Sequence, residues 1–292
     1  MSGETLSPVS GYDCPIGLFD SGLGGLTVVR QLDTILPHER MVYVADQAHV
    51  PYGGRDLAEV YSFAHGITDS LLRLGCKAVV MACNISTATA LSHVQTLFPQ
   101  AIVLGVIEPG SIEALQATRN RRIGVLATEG TRRTGAYTRT LQVHDPDVFV
   151  LEVACPEFVP LVEASLEATS AATEVVRRYL QPLQEAKVDT VVLGCTHYPF
   201  LLPQLVRLAP DLTYIDPALA TIQLLRQRLQ THGLLSTTRS EPHLLTTTGD
   251  LPTYAHQLER FLPGAEQHAV LASAQWELGQ LQIHAPCLSH SR

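Results

Sequence analysis

The sequence predicts an α/β protein built from two similar parallel-sheet domains related by pseudo-symmetry, with a ligand cleft between them, and three observations carry that prediction. Runs rich in β-branched residues each end in a small or polar cluster that opens a helix-like stretch, as in "PIGLFDSGLGGLTVVRQL", "AVVMACNISTATALSHV" and "RIGVLATEGTRRTGAYTRTL". Two of these units occur twice: "VVMACN" (79–84) lines up with "VVLGCT" (191–196), and "IGLFDSG" (16–22) with "IGVLATEG" (123–130). Cys83 and Cys195 stand 112 residues apart, Ile16 and Ile123 stand 107 apart, and the two matches keep the same order. An offset of that size is too long for a solenoid repeat and fits two related half-molecules, against the alternative that short Val-Val-Leu-Gly strings recur by chance. A chain of 292 residues also suits about two domains.

Bulk composition narrows the function classes. A hydrophobic fraction of 46% with 16% charged residues describes a folded soluble chain, and no apolar run approaches the roughly 18 residues of a membrane span. The opening "MSGETLSPVSGYD" is polar, with no signal-like apolar core. Twenty basic against 28 acidic side chains give a net charge of −8, which argues against a nucleic-acid or anionic-membrane partner and for a small-molecule substrate. The six cysteines lack any C-x-x-C pair and read as reduced thiols in a cytoplasm. Cys14, Cys76 and Cys287 read as small buried hydrophobes.

Taken in chain order, the strand ends carry the chemistry, since ligands collect at the carboxyl ends of parallel strands. Asp20 ends the first strand and precedes "DSGLGG", which lacks the G-x-G-x-x-G spacing because Thr27 falls where the third glycine would be. Its carboxylate serves a nearby base or caps the next helix, the two readings being even. The loop "DQAHVPYGGR" (46–55) offers Pro51, Tyr52 and Gly53 to a ligand, or is a plain surface turn. Cys83 opens a helix at "NISTATALSHVQTLF", where the dipole lowers a thiol pKa from its ordinary value. Thr128 and Thr131 occupy the second copy's helix start, as anion-binding hydroxyls or as caps. "ACPEFVPLVEAS" offers Glu157 and Glu163, although a helical glutamate is usually solvated. Cys195 ends the last repeated strand with His197 two residues on as a proton relay. Cys83, Cys195 and His197 converging on zinc is the less favoured alternative, because no C-x-x-C or H-x-x-x-H element supplies further ligands.

Only two lysines occur, Lys77 and Lys187, both at the starts of the cysteine strands. At about 3.3 Å per strand residue, Lys77 falls roughly 20 Å from the reactive end, too far for a pyridoxal Schiff base there. No cofactor and no metal is therefore expected. Two opposed thiols suit a different chemistry, in which one thiolate takes a proton from one face of a tetrahedral carbon while the other thiol returns one to the opposite face. That is racemisation.

The ordered motifs "FDSGLGGLTV", "VPYG", "ACN", "CPEFVPLVE", "LGCTHYPFL" and "TTGD" (247–250) closely resemble those of the glutamate racemases, in the aspartate/glutamate racemase superfamily, over about residues 16–262. The resemblance implies cofactor-independent interconversion of L- and D-glutamate for bacterial peptidoglycan. It implies catalytic roles for Cys83, as base for D-glutamate, and Cys195, as base for L-glutamate. Asp20 would assist the first and His197 the second, with Asp46 and Glu163 at further acidic positions. It also implies substrate contacts at Ser21, Pro51, Tyr52, Gly53, Asn84, Thr128, Thr131 and Thr196, and a homodimer. Ile85 stands at a substrate-contact position where the family usually has threonine. The missing hydroxyl would weaken binding by about 1 to 3 kcal/mol unless Ser86 or Thr87 compensates. His49 replaces a residue that varies in the family.

The expected domains are 14–106 with 216–262, and 107–215, leaving 263–292 as a tail of unread role, helix or strand. A racemase for another acidic amino acid and a binding protein that has lost the chemistry remain as rival readings. Intact cysteines, Asp20 and His197 argue against the second.

Overall fold

The computed structural model describes residues 11, 13–239 and 241–284. Its elements alternate almost strictly through β1 (Ile16–Asp20), α1 (Leu26–Ile35), β2 (Met41–Ala45), α2 (Leu57–Arg73), β3 (Ala78–Met81), α3 (Asn84–Leu97) and β4 (Ile102–Gly105). The second run comprises α4 (Ile107–Ala117), β5 (Arg122–Ala127), α5 (Glu129–Thr134), α6 (Ala136–His144), β6 (Phe149–Ala154), α7 (Phe158–Glu163), α8 (Ser170–Glu185), β7 (Thr190–Gly194), α9 (Leu202–Leu208) and β8 (Thr213–Ile215). The chain then returns through α10 (Pro217–Thr231), β9 (His243–Thr247), α11 (Leu251–Phe261), β10 (Ala269–Glu277) and β11 (Gln280–His284).

Two sheets result, ordered β11-β10-β9-β2-β1-β3-β4 and β6-β5-β7-β8. Within the first, the block β2-β1-β3-β4 repeats the order β6-β5-β7-β8 of the second. The register repeats as well: Gly17 pairs with Val79 between β1 and β3, and Gly124 with Val191 between β5 and β7. Both pairs follow the two offsets read from the sequence, so the half-molecules are related in structure. Every residue of β1, β2, β3 and β7 is buried, as expected for parallel strands covered by helices on both faces. The covering helices show the matching periodicity, α8 burying Ala172, Val176, Leu180 and Leu183 along one stripe.

Side-chain oxygens start the helices that follow strands or loops: Asp56 caps α2, Thr169 caps α8, Asp216 caps α10 and Asp250 caps α11. Among the described residues after 262, a short turn leads into two strands. β10 continues the first sheet in parallel with β9, and β11 folds back antiparallel on β10 as its edge. Cys287 lies outside the described residues.

Candidate active site

Because β3 and β7 hold equivalent places beside the central strands β1 and β5, the residues that leave their ends face a common space. Cys83 leaves β3 and stands at the N-cap of α3; Cys195 follows directly on the last residue of β7. Both sulfurs line one cavity of about 460 Å³ whose walls come from both halves of the molecule. All the site residues expected from the sequence line it except Asp20 and Asp46.

Asp20 is fully buried beneath the wall. One carboxylate oxygen accepts from the Gly22 N–H at 3.0 Å and the Ser21 hydroxyl at 3.2 Å, the other from the Thr196 hydroxyl at 2.9 Å. The helix-capping alternative does not hold, since α1 begins at Leu26 with Gly25 at its N-cap. Asp20 therefore ties the first half's glycine loop to the residue beside Cys195, rather than standing beside Cys83 alone. Gly24 makes that approach feasible: a Cβ there would come within 2.4 Å of Thr196 Oγ1 and 2.5 Å of His197 Nδ1. Tyr43 pins the same loop by donating its hydroxyl to the Gly22 carbonyl at 2.6 Å.

His197 sits in the short turn after Cys195, with Nδ1 4.0 Å from the Cys195 sulfur and Nε2 2.6 Å from Glu163 Oε1. Burial works to lower its pKa, yet hydrogen bonding to Cys195 and Glu163, with the charges of Cys195 and Asp20, carries it up to about 10. The imidazole is thus held protonated at neutral pH. Glu163 departs from the usual solvated helical glutamate, whereas Glu157 conforms to it, pairing at the surface with Arg178 and Tyr179.

Cys83 reverses the sequence expectation. Burial pushes its thiol up to about 12, and the nearby charges of Asp20 and Cys195 push the same way. The Ser86 N–H and hydroxyl oppose this without overcoming it. The helix start is present, but desolvation outweighs it. Ser86 Oγ is buried and makes no bond of ordinary hydrogen-bond geometry. Thr87 is already committed, its hydroxyl donating to the Met81 carbonyl and accepting from the Val106 N–H, so it offers nothing in place of the hydroxyl that Ile85 lacks. Ile85 lines the cavity as an apolar wall beside Tyr52 and Cys83.

Asp46 was expected among the acid–base groups, but it is fully buried off the cavity wall and accepts a hydrogen bond of 2.5 Å from the Tyr52 hydroxyl. The Tyr52 phenol is thereby committed to Asp46, although the residue lines the cavity. Thr128 and Thr131 show the capping geometry and stand on the cavity wall. Thr128 caps α5 by accepting from the Thr131 N–H, the two hydroxyls are 3.0 Å apart, and both residues line the cavity. Asn84 is oriented from the other half by Tyr137, whose hydroxyl donates to Oδ1 at 2.6 Å and leaves the amide N–H groups for a ligand. Cys155 also lines the cavity, its thiol pushed well up by burial. Sequence reading missed Tyr43, Tyr137 and Cys155; only Cys155 carried a signal, as the first residue of "CPEFVPLVE".

Two related α/β halves, each contributing a strand-end thiol to one cavity, define the architecture of a two-base racemase. Residues 22–225 match the sequence profile of the Asp/Glu/Hydantoin racemase family, and the chain belongs to that family. Its similarity runs to the glutamate racemases. That of Latilactobacillus sakei is 41% identical over 249 residues, covering 85% of this chain and 90% of that protein. The crystal structure of a Bacillus anthracis glutamate racemase isoform superimposes with a TM-score of 0.85 at 35% identity, covering 91% of this chain and 98% of the other. The Francisella tularensis glutamate racemase, solved with D-glutamate, gives 0.84 at 29% identity with the same coverage.

Proposed function

We propose that the protein interconverts L- and D-glutamate with two cysteine thiols and no cofactor, supplying D-glutamate for peptidoglycan synthesis. The observation that carries this reading is the pairing of Cys83 and Cys195, at equivalent strand ends of related domains, on a single cavity. In the L-to-D direction the Cys195 thiolate removes the α-proton: the C–H bond breaks, an S–H bond forms, and the electron pair passes into the α-carboxylate. The Cys83 S–H then delivers its proton to the opposite face and is left as thiolate. The reverse direction exchanges the roles.

Burial, with the nearby charges of Asp20 and Cys195, disfavours a thiolate at Cys83. Cys83 is thereby kept as the thiol, and the protonated His197 lies beside Cys195, the sulfur placed to begin on L-glutamate. Glu163 holds the His197 proton in place. Asn84, Thr128, Thr131 and Thr196, with Ser21 and the Pro51–Gly53 segment, bind the charged groups of glutamate. In the same reading, residues 14–106 with 216–262 form one racemase half-domain and 107–215 the other, and the protein works as a cytoplasmic homodimer. No helix among the described residues is long and apolar enough to cross a membrane.

Incubation of D-glutamate with the protein in deuterated water, without added cofactor, is expected to introduce α-deuterium and erase optical rotation, with L-aspartate reacting far more slowly. Cys83→Ser and Cys195→Ser are each expected to abolish both signals. Folded wild-type protein that gives neither, or a single serine variant with near-normal turnover in both directions, overturns the proposal.

A further inference from the structure

The chain contains a single tryptophan, Trp276, in the segment that follows the recognisable motifs. β10 pairs with β9 only from Ala269 to Ser273; the remainder of the strand, through Glu277, runs on beyond the end of β9. β9, β2 and β1 are mutually parallel with β10, so this overhang extends toward the side where β1 and β3 deliver Asp20 and Cys83. There the indole turns inward. It packs against Phe63 and His49, lies so close to α2 that a Cβ on Gly66 would meet it at 2.8 Å, and donates its N–H to Asp46 Oδ1 at 2.9 Å.

Asp46 is fully buried, and both of its oxygens are engaged. Oδ1 accepts from Trp276 and from the Thr248 hydroxyl at 2.8 Å, and Oδ2 accepts from the Tyr52 phenol; His49 Nδ1 faces both, at 3.1 Å from Oδ1 and 2.9 Å from Oδ2. Tyr52 begins the short 3₁₀ turn Tyr52–Gly54 on the cavity wall. Gly53 of that turn abuts the other half of the molecule: a Cβ on it would stand 2.9 Å from the Thr128 Cβ, and its carbonyl is 2.8 Å from where a Cβ on Gly130 would be. A continuous line of contacts therefore runs from the C-terminal hairpin through one buried carboxylate to the place where the two halves meet over the cavity.

We infer that Trp276 is a positioning residue for the active site: through Asp46 it holds the Tyr52–Gly54 turn against the helix start of the opposite domain. The hairpin thereby sets substrate affinity without touching substrate. The inference rests on the racemase reading for its kinetic readout alone. Packing by itself would be satisfied by another aromatic ring, whereas the bond to Asp46 needs the indole N–H.

Trp276→Phe is accordingly expected to raise KM about tenfold for both enantiomers while kcat changes less than about twofold, the signature of lost binding rather than lost chemistry. Glu277→Gln, an exposed neighbour on the same hairpin, is expected to keep the wild-type KM. A second measurement needs no variant of the hairpin. Emission from the sole tryptophan of the wild-type protein should change saturably with racemic glutamate, and Tyr52→Phe should flatten that response. Wild-type protein that racemises glutamate while its emission ignores saturating substrate overturns the inference, as does a folded Trp276→Phe protein with wild-type KM. Emission that saturates with glutamate in a protein that does not racemise it removes the proposed activity and leaves the coupling standing.

Discussion

His197 owes its protonation to neighbours, not to its own solvation, and that makes Glu163 testable alone. Burial acts to lower the imidazole pKa, and the Cys195 and Glu163 contacts reverse this to about 10, against an ordinary 6.5. The charged imidazole therefore adds to folding stability in full below about pH 6.5, and the contribution is lost as pH rises toward about 10. Activity should follow the same group, with an alkaline limb of kcat/KM near that upper value. Replacing Glu163 by glutamine removes one of the raising partners, so the limb should move down by roughly one pH unit or more, with the acid limb unmoved. A pH profile of Glu163→Gln identical to the wild type would separate Glu163 from the proton held on His197. At this scale the sequence was most legible where a residue's role depends on its place at a strand end. Cys83 and Cys195 sit within repeated strings that declare those ends, and His197 directly follows the second. Asp46 and Tyr52 do not: the Tyr52 hydroxyl is held by Asp46, and Asp46 in turn by Trp276 some 230 positions away, a link that leaves no local mark.

At the scale of single elements, strand β3 has two ends with different duties. Its upper end delivers Cys83; its foot follows Lys77, whose ammonium lies 2.6 Å from Glu39 with both side chains about 1% exposed. The same lysine reaches the Leu234 carbonyl and the Ser236 hydroxyl, and Glu39 accepts from the Ser236 backbone and hydroxyl, so the pair fastens the segment after α10 under the sheet. Lys77→Met would leave the buried Glu39 charge without its ammonium, a loss of about 3 to 5 kcal/mol. Thermal unfolding should register it as a clear fall in Tm, while KM of the folded protein stays put because the foot lies at the far end of the strand. A variant with unchanged Tm would mean that the pair contributes little net stability. The foot was legible only as a lysine too distant to be chemical. Its partner Glu39 was not, since an acidic residue in "PHERMVYV" carries no sign that it is buried. The element after Asp20 was misleading in a different way: an aspartate before a glycine-rich helix start reads equally as a cap, and only the delayed start of α1 at Leu26 leaves the carboxylate to Thr196.

Across the whole molecule, the doubled architecture was readable because strand-end strings survive in both halves at nearly one offset, and the order β2-β1-β3-β4 against β6-β5-β7-β8 shows why: the same winding was used twice. The three strands β9, β10 and β11 have no counterpart in the second sheet, and no repeat could announce them. How the halves hold together was equally silent, because each link joins residues from different domains. One such link is the bond from Tyr137 on α6 to Asn84 at the start of α3. It fixes which way the Asn84 amide points and draws the halves together over the cavity, so it joins domain closure to substrate binding. Tyr137→Phe keeps the ring in its core and deletes only the hydroxyl, leaving Asn84 Oδ1 without that donor. The loss should appear as a KM raised about tenfold, the worth of one hydrogen bond to a binding group. Because the two enantiomers have equal free energy in water, kcat/KM must fall by the same factor in both directions, whichever thiol begins the reaction. Steady-state measurement with L- and with D-glutamate therefore tests the link and checks itself: an unchanged KM would show that Asn84 needs no orientation from the opposite domain, and a KM raised in step for both enantiomers would show that closure of the two halves is part of the affinity.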